Sequence, residues 1–375
     1  MTQLLLFLIL IATFLSDFGF GKDTIPLQSK TQPSGNAQAN LQESQPYVAS
    51  IAVFGSPRLN ETVLKQVLGK ELQAWLSKGL KGDASALQME IALAKKVKDK
   101  FDLAFAEWTV MQFFEESDLA IHITLDVVEK SDAKRRMPFN PVPSETFTDP
   151  DGLLAAWRDY EETALDLVEA GAIKPDTEKC PAVHCPFGHS HPKLKKFEKI
   201  FSEGVKKNEK ILVDILNRSK SLDDRASAAY LLAYLNNAAK VAPLLIPAIR
   251  DPEALVRNNV LRVFGDIAEK YPEVVLPTKP FLEAIDFPRT SDRSKAVYVV
   301  MMMSMGSQQV REEIVKSGVP ALLAMLKGNQ PDQRDFSHNI LRKISGKEFP
   351  ASDYLAWNNW YQKTMRDRAV PSVKK

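Results

Sequence analysis

Between about residues 195 and 347, apolar residues recur at fixed offsets behind four arginines, Arg225, Arg257, Arg293 and Arg334, which stand 32, 36 and 41 residues apart. Three positions after each arginine come Ala228, Val260, Ala296 and Ser337, a column of small residues. Seven positions after come Leu232, Phe264, Val300 and Leu341, and ten after come Leu235, Ile267, Met303 and Ile344. Offsets of three, seven and ten trace one face of an α-helix. A second register lies upstream in three of the units: Leu245, Ile246 and Ile249; Phe281, Leu282 and Ile285; Leu322, Leu323 and Leu326. Each unit therefore predicts two amphipathic helices that cannot bury their apolar faces alone and must stack on their neighbours. The expected architecture is an α-solenoid of about four units within residues 193–363, closed by a helix that places Tyr354, Trp357 and Tyr361 on one face.

The pattern before residue 150 is different. Val48, Ile51, Val53 and Phe54 form a short β-like run that ends at the turn Gly55-Ser56-Pro57. Asn60 caps an expected helix through ETVLKQVLGKELQAWL, and a second spans Ala84 to Lys100. A strand from about Leu103 to Phe114 follows, and then one with alternating Leu119, Ile121, Ile123, Leu125 and Val127. Residues 131–150 hold four prolines and Lys134-Arg135-Arg136 without apolar periodicity, and read as an interdomain linker. A helical segment then spans residues 151–192 and carries a loop rich in Cys and His.

The chain opens on Leu4 to Leu15, an unbroken apolar run of the length of a signal-peptide core, with small residues placed for cleavage after Gly21. Residues 1–21 are therefore expected to direct export, with membrane contact only through this run or an uncleaved anchor. Residues 22–46, rich in Gln, Ser, Pro and Asn, read as a spacer, and 364–375 as a basic tail.

Two resemblances follow from these patterns. The unit PLLIPAIRDPEALVRNNVLRVFGDIAEK, with Asp251 in its turn and Val256-Arg257 opening the second helix, resembles a HEAT repeat, as do the shorter versions at Asp224-Arg225 and Asp292-Arg293 and a degenerate one at Arg334. In such a unit the Asp can accept backbone N–H bonds at a helix start, and the Arg can bridge carbonyls or carboxylates between units. The strand–helix–helix–strand–strand order of residues 47–130 resembles a POTRA domain, a periplasmic module of bacterial envelope proteins. The resemblances imply a mainly α fold, a HEAT-like solenoid behind a small α+β domain (β-α-α-β-β), in an exported, periplasmic protein that binds a protein partner.

Composition narrows function little. Apolar content of 45% and charged content of 26% are ordinary for a globular protein. Lys and Arg number 49 against 47 Asp and Glu, without the basic excess that nucleic-acid binding needs. No Gly-rich phosphate loop, G-x-S-x-G or H-E-x-x-H is present, so a non-enzymatic scaffold without cofactor is expected. The segment Cys180-Pro-Ala-Val-His184-Cys185-Pro-Phe-Gly-His189-Ser-His191 is the one constellation that could carry chemistry, and three readings stand. Cys180 and Cys185 form a disulfide, as an even cysteine count in an exported chain favours. Alternatively Cys180, Cys185, His189 and His191 ligate zinc, or a free thiol beside His184 is a nucleophile.

Overall fold

The structure, a computed structural model, describes residues 46–115, 118–174 and 180–369. The apolar run of residues 4–15, the spacer to residue 45 and residues 370–375 of the basic tail lie outside the described residues. No helix among the described residues is long and apolar enough to cross a membrane. The chain divides into two compact units at Lys130, each considered by itself.

The first unit runs β1 (Pro46–Phe54), α1 (Glu61–Leu68), α2 (Lys70–Leu80), α3 (Ser85–Phe101), β2 (Leu103–Glu115) and β3 (Asp118–Glu129). Its sheet has the order β1-β3-β2, with β3 central, parallel to β1 and antiparallel to β2. The alternating residues Ile121, Ile123, Leu125 and Val127 join Leu64, Leu68, Leu72, Trp75, Leu93 and Val97 of the helices in one core, with Trp75 and Trp108 rings 4.9 Å apart. The opposite side of β3 carries polar residues with partners of their own: Ser50 Oγ lies 2.9 Å from His122 Nδ1, and Thr109 donates to Asp126 at 3.0 Å. The single helix expected from Glu61 is two. Gly69 takes φ +49° and breaks it while its N–H closes α1 on Lys65 O at 2.9 Å, a conformation in which a side chain would be strained.

The second unit begins with a 3₁₀ turn and α4 (Ala133–Arg136), then an extended segment, then α5 (Leu153–Glu169). Asp149 caps α5 by accepting from Leu154 N and Ala155 N, both at 2.9 Å. The solenoid follows as α6 (Pro192–Lys207), α7 (Glu209–Arg218), α8 (Leu222–Leu231), α9 (Ala238–Leu245), α10 (Ala254–Lys270), α11 (Thr278–Ala284), α12 (Thr290–Ser304), α13 (Gln308–Ser317), α14 (Val319–Lys327), α15 (Pro331–Ser345) and α16 (Tyr354–Ala369). Pairs α7/α8, α9/α10, α11/α12 and α14/α15 are the four units. Their predicted columns are in the core: Leu232, Phe264, Val300 and Leu341 are fully buried, as are Ala228, Val260, Ala296 and Ser337. Met303 and Ile344 are only half-buried. The chain is thus mainly helical, a solenoid preceded by a small α+β unit.

The spacing of 41 residues before Arg334 has a physical cause the periodicity did not reveal. An extra helix, α13, precedes α14 and makes the last unit three-helical. The two meet at Gly318, where a Cβ would lie 2.9 Å from Leu282 Cδ2 and 3.1 Å from Ile314 O, so that the Leu282 side chain would have to shift to admit one. At the end of the stack Trp357 is buried against Phe349 and His338, and its Nε1 donates to Pro350 O at 3.0 Å.

Candidate interaction surface of the solenoid

The repeat arginines are buried clamps. Each of the first three donates from Nη1 to the carbonyl six residues earlier, Arg225 to Ser219 at 2.8 Å, Arg257 to Asp251 at 2.8 Å and Arg293 to Phe287 at 3.0 Å. Each therefore ties the second helix of its own unit to the turn that enters it. In Arg225 and Arg257 the rest of the guanidinium reaches the next unit, whereas Arg293 Nη2 donates to Thr290 Oγ1 of its own helix at 2.9 Å. Arg225 grips Asp251 through two bonds of 2.7 and 3.0 Å. Arg257 reaches Asp292 through bonds of 3.1 and 2.6 Å. Asn258 donates to the other Asp292 oxygen at 3.0 Å, so this buried carboxylate is well supplied. Charged groups at such depth persist only when paired and bonded in this way.

Two expectations about this ladder are corrected. Arg334 is not in it: its side chain is about half exposed and lies 3.7 Å from its neighbour Asp335. The adjacent Gln333 turns inward instead, donating to Thr290 O at 3.2 Å and Ser294 Oγ at 3.0 Å. Asp224 likewise does not cap its helix or join a rung. Ser221 caps α8, and Asp224 faces Arg158 of α5 at 3.4 Å. The acids that do form rungs, Asp251 and Asp292, stand six residues and one residue before their own units' arginines, so no single offset in the sequence marks them.

Residues 131–150 are not a linker but a strap bound to the turns of three successive units. Arg136 is buried and donates from Nε to Asp286 O at 2.9 Å, with the Asp286 carboxylate 3.3 Å away. The Phe139 ring covers the Arg257 guanidinium at 4.1 Å and meets the Phe287 ring edge-on at 5.2 Å, a cation–π contact on an already buried clamp. Asn140 donates its N–H to Arg250 O at 2.7 Å and its side chain to Pro247 O at 3.0 Å. Glu145 then forms a short parallel bridge: its N–H donates to Arg218 O at 3.0 Å and its carbonyl accepts from Lys220 N at 2.7 Å. The strap thus crosses the third, second and first turns in order, counter to the order of the repeats. The four prolines and the missing apolar periodicity read as a linker, and no local pattern could say that the segment was docked.

The Cys/His loop is a plug. Cys180 and Cys185 are joined, with Cα atoms 5.5 Å apart. Beyond the bridge, Val183, His184, Phe187 and His189 are buried among Trp157, Tyr160, Tyr230, Tyr234 and Phe201. Val183 N donates to Ala233 O at 3.1 Å, and Tyr160 OH to Gly188 O at 2.9 Å. The three imidazoles go three ways. His184 Nδ1 pairs with Asp266 at 2.9 Å, His189 lies between Leu194 O at 3.1 Å and Tyr234 OH at 2.6 Å, and His191 caps α6. The proposed ligand set Cys180, Cys185, His189 and His191 is therefore not brought to a point, since its sulfurs are bonded to each other and both nitrogens of His189 have other partners.

Electrostatics agree with structural use. Burial holds His189 below the ordinary imidazole range and Tyr234 well above the ordinary phenol range, so both are neutral at pH 7. Burial would raise Asp266, but His184 and then Lys270 more than offset it and leave the carboxyl below its usual value. On α5, burial pushes Glu161 up to about 7, with Asp223 adding to the effect. In α12 burial holds Lys295 well below its ordinary range.

No protein-family model matches the chain, and no curated protein does. Among solved structures, it is similar to an engineered protein from a structural-genomics consortium, at 14% identity over 61% of this chain and 87% of that one, with a TM-score of 0.36. A designed armadillo repeat protein matches at 17% identity over 53% and 96% of the two chains, with a TM-score of 0.33. A structure of computationally designed armadillo repeat proteins for modular peptide recognition matches at 15% identity over 58% and 89%, with a TM-score of 0.34. Similarity at these identities and TM-scores assigns neither a family nor a function to this chain.

Proposed function

We propose that this chain is an exported, non-enzymatic scaffold of the bacterial envelope whose HEAT-like solenoid binds a protein partner along its turn edge. The observation that carries the reading is the strap. Three consecutive turns already hold an extended segment, two by backbone hydrogen bonds and the third through the Arg136 side chain, with one aromatic contact, the kind of recognition a repeat surface offers to a peptide. Along that edge Val142, Leu222 and Leu255 remain exposed. Export is supported by the apolar run Leu4–Leu15 and by the bonded pair Cys180–Cys185, which suits an oxidising compartment. The strand and helix order of the first unit supports reading that unit as a POTRA-like docking module. The scaffold reading is preferred to a zinc-centred one because Cys180 and Cys185 are bonded to each other and His189 is engaged by Leu194 and Tyr234.

Photo-crosslinking in the native host tests this. A crosslinker placed at Val142 or Leu255 should capture a discrete envelope protein, whereas one at Glu312, on α13, should not. Equal capture at all three sites, or recovery of the chain from the cytoplasm with its first residues intact, would overturn the proposal.

A further inference from the structure

We infer that the strap is a built-in occupant of a peptide seat, and that the partner of this seat is an extended segment carrying an arginine, an aromatic residue three positions on and an asparagine next to it. The inference rests on the function proposed above and names the chemistry of its ligand. The seat is defined by what it offers. Asp286 and Phe287 present carbonyls and a carboxylate that fit a guanidinium. Arg257 and Phe287 present a cationic face and a ring edge that fit an aromatic side chain. Pro247 and Arg250 present two carbonyls that fit an amide side chain and the N–H of the same residue. Arg218 and Lys220 present a carbonyl, an N–H and a guanidinium that fit an extended acidic residue, as they do for Glu145.

The strap is held in a way that permits exchange. Arg136 and Pro150 are buried, but no residue from Met137 to Asp149 is. The segment between is retained by hydrogen bonds at half-exposed or exposed positions, each a modest net contributor to binding. Lifting it uncovers the Phe287 ring and the Arg257 guanidinium beneath Phe139, the surface a competing aromatic residue would cover in its place, and its prolines keep the released chain extended. Because both ends are covalently tied, the strap competes at a high effective concentration, so a free segment with the same contacts binds weakly until the strap lifts.

The test uses the full chain and, as probe, a labelled peptide of residues 131–150. Wild type should bind it weakly, and the variant Arg136→Ala/Phe139→Ala should bind it at least roughly tenfold tighter, because its own strap competes less. A probe peptide carrying both substitutions should bind neither protein. Equal affinity of wild type and variant for the probe, or equal binding of the substituted peptide, would overturn the inference. If the double variant fails to fold, Asn140→Ala alone is used, and its Lys220 amide, bonded to Glu145 O, should exchange faster without peptide and be protected again by it; unchanged exchange in both conditions sinks the inference. Peptide binding to the variant with no envelope protein crosslinked would support the seat and count against the partner-binding function, so the two fail separately.

Discussion

Two insertions break the helical pattern of the second unit, residues 131–150 and residues 180–191, and their contacts differ in kind. The loop places Val183, His184, Phe187 and His189 in an aromatic core and is closed by a covalent bridge. The strap keeps no residue between Met137 and Asp149 buried and is held by hydrogen bonds and one ring stacked on Arg257. The residues with the richest chemical repertoire serve packing, and the chemically bland, proline-rich stretch is the one that reads a surface. Reactive residue types fix a role only when geometry makes them converge. Here His184, His189 and His191 diverge, while Arg136, Phe139, Asn140 and Glu145 meet successive turns of one edge.

The largest effect expected is at the residue the strap and the ladder share. Arg257→Ala leaves Asp292 buried with Asn258 as its remaining side-chain donor, and removes the clamp on Asp251 O and Pro252 O. Breaking one half of a buried pair costs about 3–5 kcal/mol, measured by chemical denaturation. The paired replacement Arg257→Met with Asp292→Leu should recover most of that stability, because no lone buried charge remains. Arg334→Ala, in the corresponding position of the last unit, should change stability by less than about 0.5 kcal/mol. If both single substitutions cost the same, the ladder ends where the sequence period says rather than where the contacts do.

The period itself was legible because every unit must bury the same face; the columns of Leu232, Phe264, Val300 and Leu341 followed from spacing alone. Two features were not legible, for one reason. The inward turn of Gln333 in place of Arg334, and the docking of residues 131–150, depend on contacts with residues some 40 to 150 positions away, and no local pattern encodes a contact at that range. The bridge Cys180–Cys185 was readable from cysteine parity and the expected compartment, but the partners of His184 and His189, Asp266 and Tyr234, were not.

On the loop side, Cys180→Ser with Cys185→Ser should lower stability by about 2 kcal/mol, the chain-entropy value for so short a closed loop. The loss should be local, with faster amide exchange at Val183, whose N–H bonds Ala233 O. Loss of protection throughout the solenoid would mean that the plug organises the whole stack.

The platform under the plug gives a pH test. The Glu161 carboxyl on α5 is raised to about 7, by burial first and Asp223 next. A raised carboxyl means the folded state keeps its proton between about pH 4.5 and 7 where the unfolded chain has lost it. Stability therefore falls as pH rises through that window and is level above it. Glu161→Gln should remove this decline and stabilise the protein at pH 8 by on the order of 2 kcal/mol, read from denaturation midpoints at pH 5 and pH 8. A variant whose stability falls as steeply as that of wild type would place the titration elsewhere.

Of the contacts that do join elements, the smallest effect belongs to the strap, and its size is the point. Asn140→Ala removes the side-chain bond to Pro247 O but keeps the N–H bond to Arg250 O. The bond lies at an exposed position, where water replaces the lost partner, so the global cost should be no more than about 1 kcal/mol. Local opening is another matter, because the strap has no buried residue between Met137 and Asp149 to hold it once a polar anchor weakens. The Glu145 and Lys220 amides, which form the bridge at the first turn, should exchange several-fold faster in the variant. Amides of the buried columns around Phe264 should exchange at the wild-type rate, since neither their packing nor the Arg225 and Arg257 clamps are touched. A global cost of about 3 kcal/mol or more, with protection lost around Phe264 as well, would put the strap in the same class as the plug, an integral part of the core and not an occupant of its edge.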